Sequence, residues 1–377
     1  MASAARLRQR LVASLRREGA LTDEQWVSAF RVVPRHVFLP KFFVPADHGW
    51  TAMARGDTGW LKLAYSGNVL VTQLDDDPER WSEARAEGPI AGTPTCSSSQ
   101  PAIMAIMLEE LQVRDGQRVL EIGTGTGYNA ALLCQRLGSD HVSTVDVDPV
   151  LAAQARRSLD EAGYTPACSN SDGAQGFPAQ APFDRVICTC AVSTIPLAWL
   201  EQTVPGGLIV TTLNRPIGAG LVRITAGEGA TGQGRVLTRN GHFMPLRADR
   251  LANPATLLAS YGETPGATSR TSLRLDAVLN PASPFAFFAG LGLPGVVAIG
   301  RHLLHPDGSW TEHRGNLVKQ GGPRRLWDDV ERAHTEWVTL GEPRRDRFGL
   351  TITPEAQVLW LDEPDGRHWA LAGPKAL

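Results

Sequence analysis

What the chain has least of narrows its function before any motif is read. Among 377 residues there are five cysteines, Cys96, Cys134, Cys168, Cys188 and Cys190. No two form a C-x-x-C, and an odd number closes no disulfide framework, so a reducing cytoplasm is the expected setting. Cys188 and Cys190 alternate along a strand-like segment and read as packed core. His302 and His305 have a ligand-like separation, but two imidazoles alone make no zinc site, and no metal is expected. An excess of one charge is also missing. The chain carries 37 Lys and Arg against 39 Asp and Glu, a formal charge of −2, so nothing global favours nucleic acid or a membrane surface. No apolar run spans a bilayer: the stretch from Phe285 to Gly300 is broken by Gly290, Gly292, Pro294 and Gly295. The Arg-rich start, with Leu7, Leu11 and Leu15 at helical spacing, lacks an apolar signal core and a small-residue cleavage site. It reads as an amphipathic first helix.

Two glycine signatures are absent in an informative way. Residues 118–128 read Arg-Val-Leu-Glu-Ile-Gly-Thr-Gly-Thr-Gly-Tyr: an apolar strand, three alternate glycines, then a helix-compatible run to Leu137. Dinucleotide folds want G-x-G-x-x-G, and here Tyr128 stands where the third glycine belongs. No Lys-Ser/Thr pair follows, which argues against a phosphate loop. A strand turning through glycine into a helix brings bare backbone to a ligand at the helix's positive end. Glu121 just before the glycines suits a cationic ligand better than a pyrophosphate. The pattern resembles motif I of S-adenosylmethionine (SAM) methyltransferases.

Strand-like and helix-like segments alternate from Arg118. Val142–Asp146, Ala167–Ser169, Phe183–Cys188 and Leu208–Leu213 read as strands. Pro149–Gly163 and Thr194–Gln202 read as helices, and Val204-Pro205-Gly206-Gly207 as a turn. Such alternation predicts right-handed βαβ units on a mostly parallel sheet. Leu221–Thr225 and Arg235–Thr238 predict a closing antiparallel pair. Beyond about residue 240 the pattern changes: Asp307-Gly308 and Asp365-Gly366 signal hairpins, and Leu326, Val330, Trp337 and Val338 stripe one helix. The expected fold is α/β, a Rossmann-like methyltransferase sheet with a helical N-terminal part and an extra α+β C-terminal region. The expected divisions are a cap region with an insert over 1–95, a SAM-binding core over 96–240 and an accessory domain over 241–377.

Further segments carry a more specific resemblance. Val33-Pro34-Arg35-His36-Val37-Phe38-Leu39-Pro40, then Ser99-Gln100-Pro101, then Val119–Tyr128, resemble the protein-L-isoaspartate O-methyltransferases. Pro182-Phe183-Asp184, Ile195-Pro196 and Pro205-Gly206-Gly207 continue the likeness, over roughly residues 26–215. The resemblance implies SAM as methyl donor, with S-adenosylhomocysteine as product, and a polypeptide carboxylate as acceptor. It further implies that Glu121, Gly123, Thr124, Gly125, Gly127 and Tyr128 line the methionine part. Asp146 would take the ribose hydroxyls, Val147 next to it would also contact the donor, and Asp172-Gly173 would sit by the adenine. Ser99 matches the family's active-site serine, with Ser98 and Ser97 beside it. Read from local sequence alone, Ser99 is equally a cap for a helix over Ala102–Leu111, and Asp146 and Asp172 are turn or cap residues.

Three features depart from the repair enzymes: the long C-terminal region, an insert from Leu74 to Gly92, and Tyr65-Ser66-Gly67-Asn68 where an acidic residue commonly follows an aromatic. The layout is similar to longer actinobacterial homologues that tailor ribosomally made peptides, on segments His242–Arg247 and Phe348–Pro354. That likeness implies methylation of an Asp in a precursor peptide and closure to an aspartimide, with general protein repair as the rival. Arg324, Arg325, Arg344, Arg345 and Arg347 are then candidate cations for an acidic peptide. A nucleic-acid methyltransferase fits less well, because Cys188-Thr189-Cys190-Ala191-Val192 replaces the Asn/Asp-Pro-Pro-aromatic element. A non-catalytic SAM-binding protein is the remaining alternative. The oligomeric state is not legible.

Overall fold

In the computed structural model, which describes residues 3–213, 215–261 and 265–371, the chain packs as two compact units. One comprises residues 1–190 with 196–210, the other 191–195 with 211–377. The division falls near residue 210, whereas the sequence reading set boundaries at 95 and 240. The outermost residues of those expected domains, 1–2 and 372–377, lie outside the described residues.

The first unit begins with α1 (Ala4–Arg17) and α2 (Glu24–Val32). Ser3 caps α1 by accepting from the Arg6 N–H at 3.3 Å, and Asp23 caps α2 by accepting from Gln25 and Trp26. Leu11, Val12 and Leu15 are buried as the leucine spacing predicts. Next come β1 (Lys41–Ala46), β2 (Gly49–Ala54), α3 (Trp60–Ala64), β3 (Leu70–Leu74), α4 (Arg80–Glu87) and β4 (Pro94–Ser98). These strands form a small sheet in the order β2-β1-β3-β4. The insert over 74–92 is therefore ordered structure: α4 seats Ala84 and Trp81 against Phe43, Val71 and Leu74, and Arg85 holds Asp57 through two bonds of 2.7 and 2.8 Å.

The sheet that matters for chemistry follows: α5 (Pro101–Glu110), β5 (Val119–Ile122), α6 (Tyr128–Leu137), β6 (Val142–Asp146), α7 (Pro149–Glu161), β7 (Ala167–Asn170), β8 (Phe183–Val192), α8 (Leu197–Glu201) and β9 (Thr203–Leu213). The strands run β9-β8-β5-β6-β7, with β8, β5, β6 and β7 parallel. All four residues of β5 are buried, which is why its sequence is a short apolar run rather than an alternation. Two expectations change here. The helix expected over 194–202 shrinks to α8, and the Pro-Gly-Gly segment lies inside β9.

The second unit contains β10 (Gly220–Ala226), β11 (Gly232–Val236), α9 (Pro254–Tyr261), β12 (Ala267–Arg270), α10 (Asp276–Leu279), α11 (Ala286–Leu291), β13 (Val297–Ile299), β14 (His302–Leu304), β15 (Trp310–Arg314), β16 (Leu317–Gly321), α12 (Leu326–Thr339), β17 (Phe348–Ile352), β18 (Gln357–Leu361) and β19 (His368–Ala370). Antiparallel β10-β11-β17-β18-β19 and β12-β16-β15-β14-β13 are its two strand sets. Both Asp-Gly turns close hairpins, β14–β15 and β18–β19. Trp310, Trp327, Trp337 and Trp360 are buried in this unit, while Val338 of the predicted α12 stripe turns outward at 47% exposure. The five arginines expected to meet an acidic peptide all have partners. Arg324 bonds Asp329, Arg325 lies by Asp328, Arg344 by Asp346 and Arg347 by Asp362, while Arg345 donates to the carbonyls of Ala219 and Pro281. Among the described residues no helix is long and apolar enough to cross a membrane.

Phe348 is fully buried, with ring centroids 5.2 Å from Phe287, 6.1 Å from Phe288 and 5.6 Å from Trp369. Phe348→Ala is expected to destabilise this unit by about 3–5 kcal/mol, read as a lower urea midpoint; a midpoint within error of the parent contradicts that packing.

Candidate active site

The glycine spacing has a steric cause that the structure makes plain. Gly123, Gly125 and Gly127 adopt φ of +92°, +52° and +85°, a region other residues enter at a cost. A Cβ on Gly123 would lie 2.7 Å from Cys190 Sγ, so no side chain fits there. The loop is pinned to the end of β6: Gly123 and Thr124 N–H donate to the Val145 carbonyl at 2.9 and 3.2 Å, and Gly125 N–H donates to Asp146 Oδ2 at 2.8 Å. Thr189 Oγ1 donates to the Gly123 carbonyl at 2.8 Å from the β8 side. Loop, strand ends and helix start are thereby fixed together.

Glu121, expected to line the methionine part, is turned away from solvent. Its side chain is wholly buried and accepts from Asn129 Nδ2 at 2.8 Å and Thr144 Oγ1 at 2.7 Å. Thr144 in turn lies 2.6 Å from Thr124 Oγ1, so the carboxyl braces the loop from behind. Tyr128 also differs: its ring is 1% exposed and packs 6.3 Å from Phe30 and 5.8 Å from Phe38, in the core rather than on the loop.

Asp146 stands at the C-terminal end of β6, where open parallel sheets receive ligands. The Gly125 and Asp148 N–H groups, at 2.8 and 3.0 Å, orient its carboxylate. Val147 beside it is 40% exposed. Asp148 caps α7 through the Val150 and Leu151 N–H groups and also accepts from Gln73 Nε2 at 3.0 Å. Gln73 accepts from Thr95 Oγ1 at 3.0 Å, which ties β6 to β4. Asp172 is a cap: its Oδ1 accepts from the Ala174 N–H at 3.0 Å, and the Gly173 carbonyl accepts from Trp199 Nε1 at 2.8 Å.

The serine segment comes to the same place. β4 ends at Ser98, paired with Leu70 of β3, and a Cβ on Gly125 would lie 3.6 Å from Cys96 Sγ and 3.9 Å from the Ser97 carbonyl. Ser99 is not the cap of α5; Gln100 holds that position without a side-chain bond. Arg35 organises the segment instead. Its wholly buried guanidinium donates to the Ser99 carbonyl at 3.2 Å, Ser98 Oγ at 3.4 Å and the carbonyls of Ala64, Ser66 and Asn68 at 3.1, 2.9 and 3.3 Å. Burial pushes the Cys96 thiol up to about 12, so the sulfur next to the loop stays a neutral thiol, a poor nucleophile.

Sequence reasoning missed Gln73, Asn129 and Thr144, and it named Arg35 only as part of a motif. Thr144 left a signal, a polar residue inside the buried run Val142–Val145; Gln73 left none. The loop's bare backbone, the oriented Asp146 and the exposed Val147 together fit a cationic, ribose-bearing ligand.

Burial raises the Glu121 carboxyl to about 7 from an ordinary 4.5, against the lowering pull of Thr144 and Asn129. Between those values the unfolded chain releases a proton that the folded chain keeps, so this group's contribution to stability falls as pH rises, by on the order of 3 kcal/mol in all. Glu121→Gln lacks that penalty. Its melting temperature relative to the parent is expected to climb from pH 4.5 to 7; a difference independent of pH contradicts the assignment.

Comparison with known proteins agrees with this geometry. A family model described as Protein-L-isoaspartate(D-aspartate) O-methyltransferase (PCMT) matches residues 85–236. Protein-L-isoaspartate O-methyltransferases of Methanosarcina mazei, Methanoculleus marisnigri and Gloeobacter violaceus are 33%, 32% and 41% identical over 54%, 59% and 49% of this chain and 69%, 84% and 71% of theirs. A solved structure described as a protein-L-isoaspartate O-methyltransferase superposes with a TM-score of 0.53 at 21% identity, covering 94% of this chain and 100% of its own, a likeness of fold. The chain belongs to the protein-L-isoaspartate O-methyltransferase family of SAM-dependent carboxyl O-methyltransferases.

Proposed function

We propose that this chain methyl-esterifies the side-chain carboxylate of an isoaspartyl residue in a polypeptide, the first step of protein repair. The observation that carries the reading is the meeting of two motifs within one unit: the serine-bearing end of β4 lies against Gly125 of the glycine loop. S-adenosylmethionine, when bound, supplies a methyl group on a positively charged sulfur. The backbone of Gly123–Gly127 would hold its methionine part, Asp146 its ribose hydroxyls, and Val147 with Asp172-Gly173 its adenine. Ser98 and Ser99 would orient the acceptor carboxylate. That carboxylate is ionised near neutral pH, so no general base is needed. Alignment and exclusion of water are what the protein must provide, because opposite charges cancel as the bond forms.

A second reading rests on one observation. Ser66-Gly67-Asn68 carries no carboxylate and offers Arg35 only backbone carbonyls, so nothing acidic there selects a damaged residue. On this reading the acceptor is an unmodified Asp in a constrained precursor peptide. The following residue's backbone nitrogen then attacks the ester carbonyl, methanol leaves and an aspartimide closes. The second unit's arginines do not support it, being engaged already.

Two peptides identical except for Asp or isoaspartate, incubated with labelled SAM, separate the readings by mass spectrometry. Ester on the isoaspartyl peptide alone supports repair, ester on a constrained Asp peptide alone supports tailoring, and ester on neither ends both. Asp146→Asn is expected to weaken SAM binding about tenfold to a hundredfold, since a charged acceptor becomes neutral; unchanged calorimetric affinity would remove Asp146 from the donor site.

A further inference from the structure

We propose that Arg35 is the positioning residue of the acceptor site: an uncompensated buried cation whose charge reaches the substrate carboxylate through the Ser98 hydroxyl. The inference deepens the carboxyl-methylation reading and rests on it.

Burying a guanidinium costs several kcal/mol unless an anion or a full set of bonds offsets it. Arg35 is wholly buried, and among the described residues no carboxylate forms an ion pair with it. Its five bonds all end on neutral oxygens: four backbone carbonyls and Ser98 Oγ. Nε has no partner at all.

The groups facing it do not supply a negative charge either. Tyr128 of α6 lies under the guanidinium, 5.9 Å from its ring centroid, and Tyr65 after α3 is the other titratable neighbour. Burial raises the Tyr65 hydroxyl further, keeping it neutral. His36, next in sequence, meets the Tyr65 hydroxyl at 2.7 Å through Nδ1. Arg8 of α1 adds a positive field on Tyr65, Tyr128 and His36, and Arg55 a further one on His36, whose neutral form burial favours; Glu161 acts on His36 in the opposite sense. Burial lowers Arg35 only to about 10, so it stays charged at neutral pH.

Of the five acceptors, only Ser98 Oγ carries a proton of its own to donate onward. Ser98 Oγ accepts from Nη2 at 3.4 Å, so its own proton points elsewhere and is made a better donor by the cation behind it. The same Nη2 holds the Ser99 carbonyl at 3.2 Å, fixing the neighbouring serine. A carboxylate placed on Ser98 would bring, across that hydroxyl, the negative charge that the folded chain does not supply. A cation there holds a bound carboxylate ionised; without it, desolvation raises the carboxylate's titration.

The test is the pH profile of kcat at saturating SAM on the isoaspartyl peptide, for the parent, Arg35→Met, Arg35→Lys and Ser98→Ala. Arg35→Met is expected to move the acid limb up by about one pH unit and raise the peptide KM about tenfold, while calorimetric affinity for S-adenosylhomocysteine holds. Arg35→Lys keeps the charge and leaves the limb near the parent's. Ser98→Ala, which leaves Arg35 in place, moves the limb in the same direction as Arg35→Met. If Arg35→Met does not fold, Ser98→Ala and Arg35→Lys decide alone. An unmoved limb in Ser98→Ala and in any folded Arg35→Met, whatever the fall in activity, overturns the proposal and leaves Arg35 a structural clamp. A parent enzyme that methylates no peptide is a distinct result, and it overturns the underlying reading together with this one.

Discussion

The hydrogen bonds that pin the glycine loop to the end of β6 decide where every other part of the site falls. Val145 receives two loop N–H groups and Asp146 a third. With the loop fixed there, α6 starts in one direction only, and Gly125 faces the end of β4. If the loop holds the methyl donor as proposed, loosening the pin by about an ångström would separate the methyl from its acceptor, and near-attack geometry is sensitive on that scale.

Behind the pin lies a buried polar network rather than a hydrophobic wall. The Glu121 carboxyl and the Thr144 and Thr124 hydroxyls satisfy one another away from water, and Asn129 donates into the set through Nδ2 while its Oδ1 has no partner. Such networks cost stability but specify a single arrangement when their polar groups are satisfied. A second chain of bonds, Asp146 to Asp148 to Gln73 to Thr95, joins the donor side to the strand that ends in Ser98. The small sheet is thus part of the site's support.

Much of this was legible in the sequence wherever local physics decides. Buried parallel strands read as apolar runs, and glycines forced to positive φ betray a loop, so β5, α6 and β6 sit where expected. β4 was not legible as a strand, because Pro-Thr-Cys-Ser-Ser carries no apolar alternation and is held by its pairing with β3. Side-chain direction was not legible at two points. Glu121 and Tyr128 flank the loop in sequence, yet both turn inward, since strand pleat and helix start aim them at the core. The Gln73–Asp148 bond joins residues 75 apart, a contact that no local pattern announces. The candidate peptide-binding arginines show a related limit: sequence displays the cations but not the carboxylates and carbonyls that hold them.

The central claim is that a polypeptide carboxylate receives the methyl group at the Ser98 end of β4, and the bond type tests it most directly. Label transferred from methyl-labelled SAM to a peptide should be released as volatile methanol by mild alkali, the behaviour of an ester. Label that survives alkali, on nitrogen or sulfur, would contradict the account.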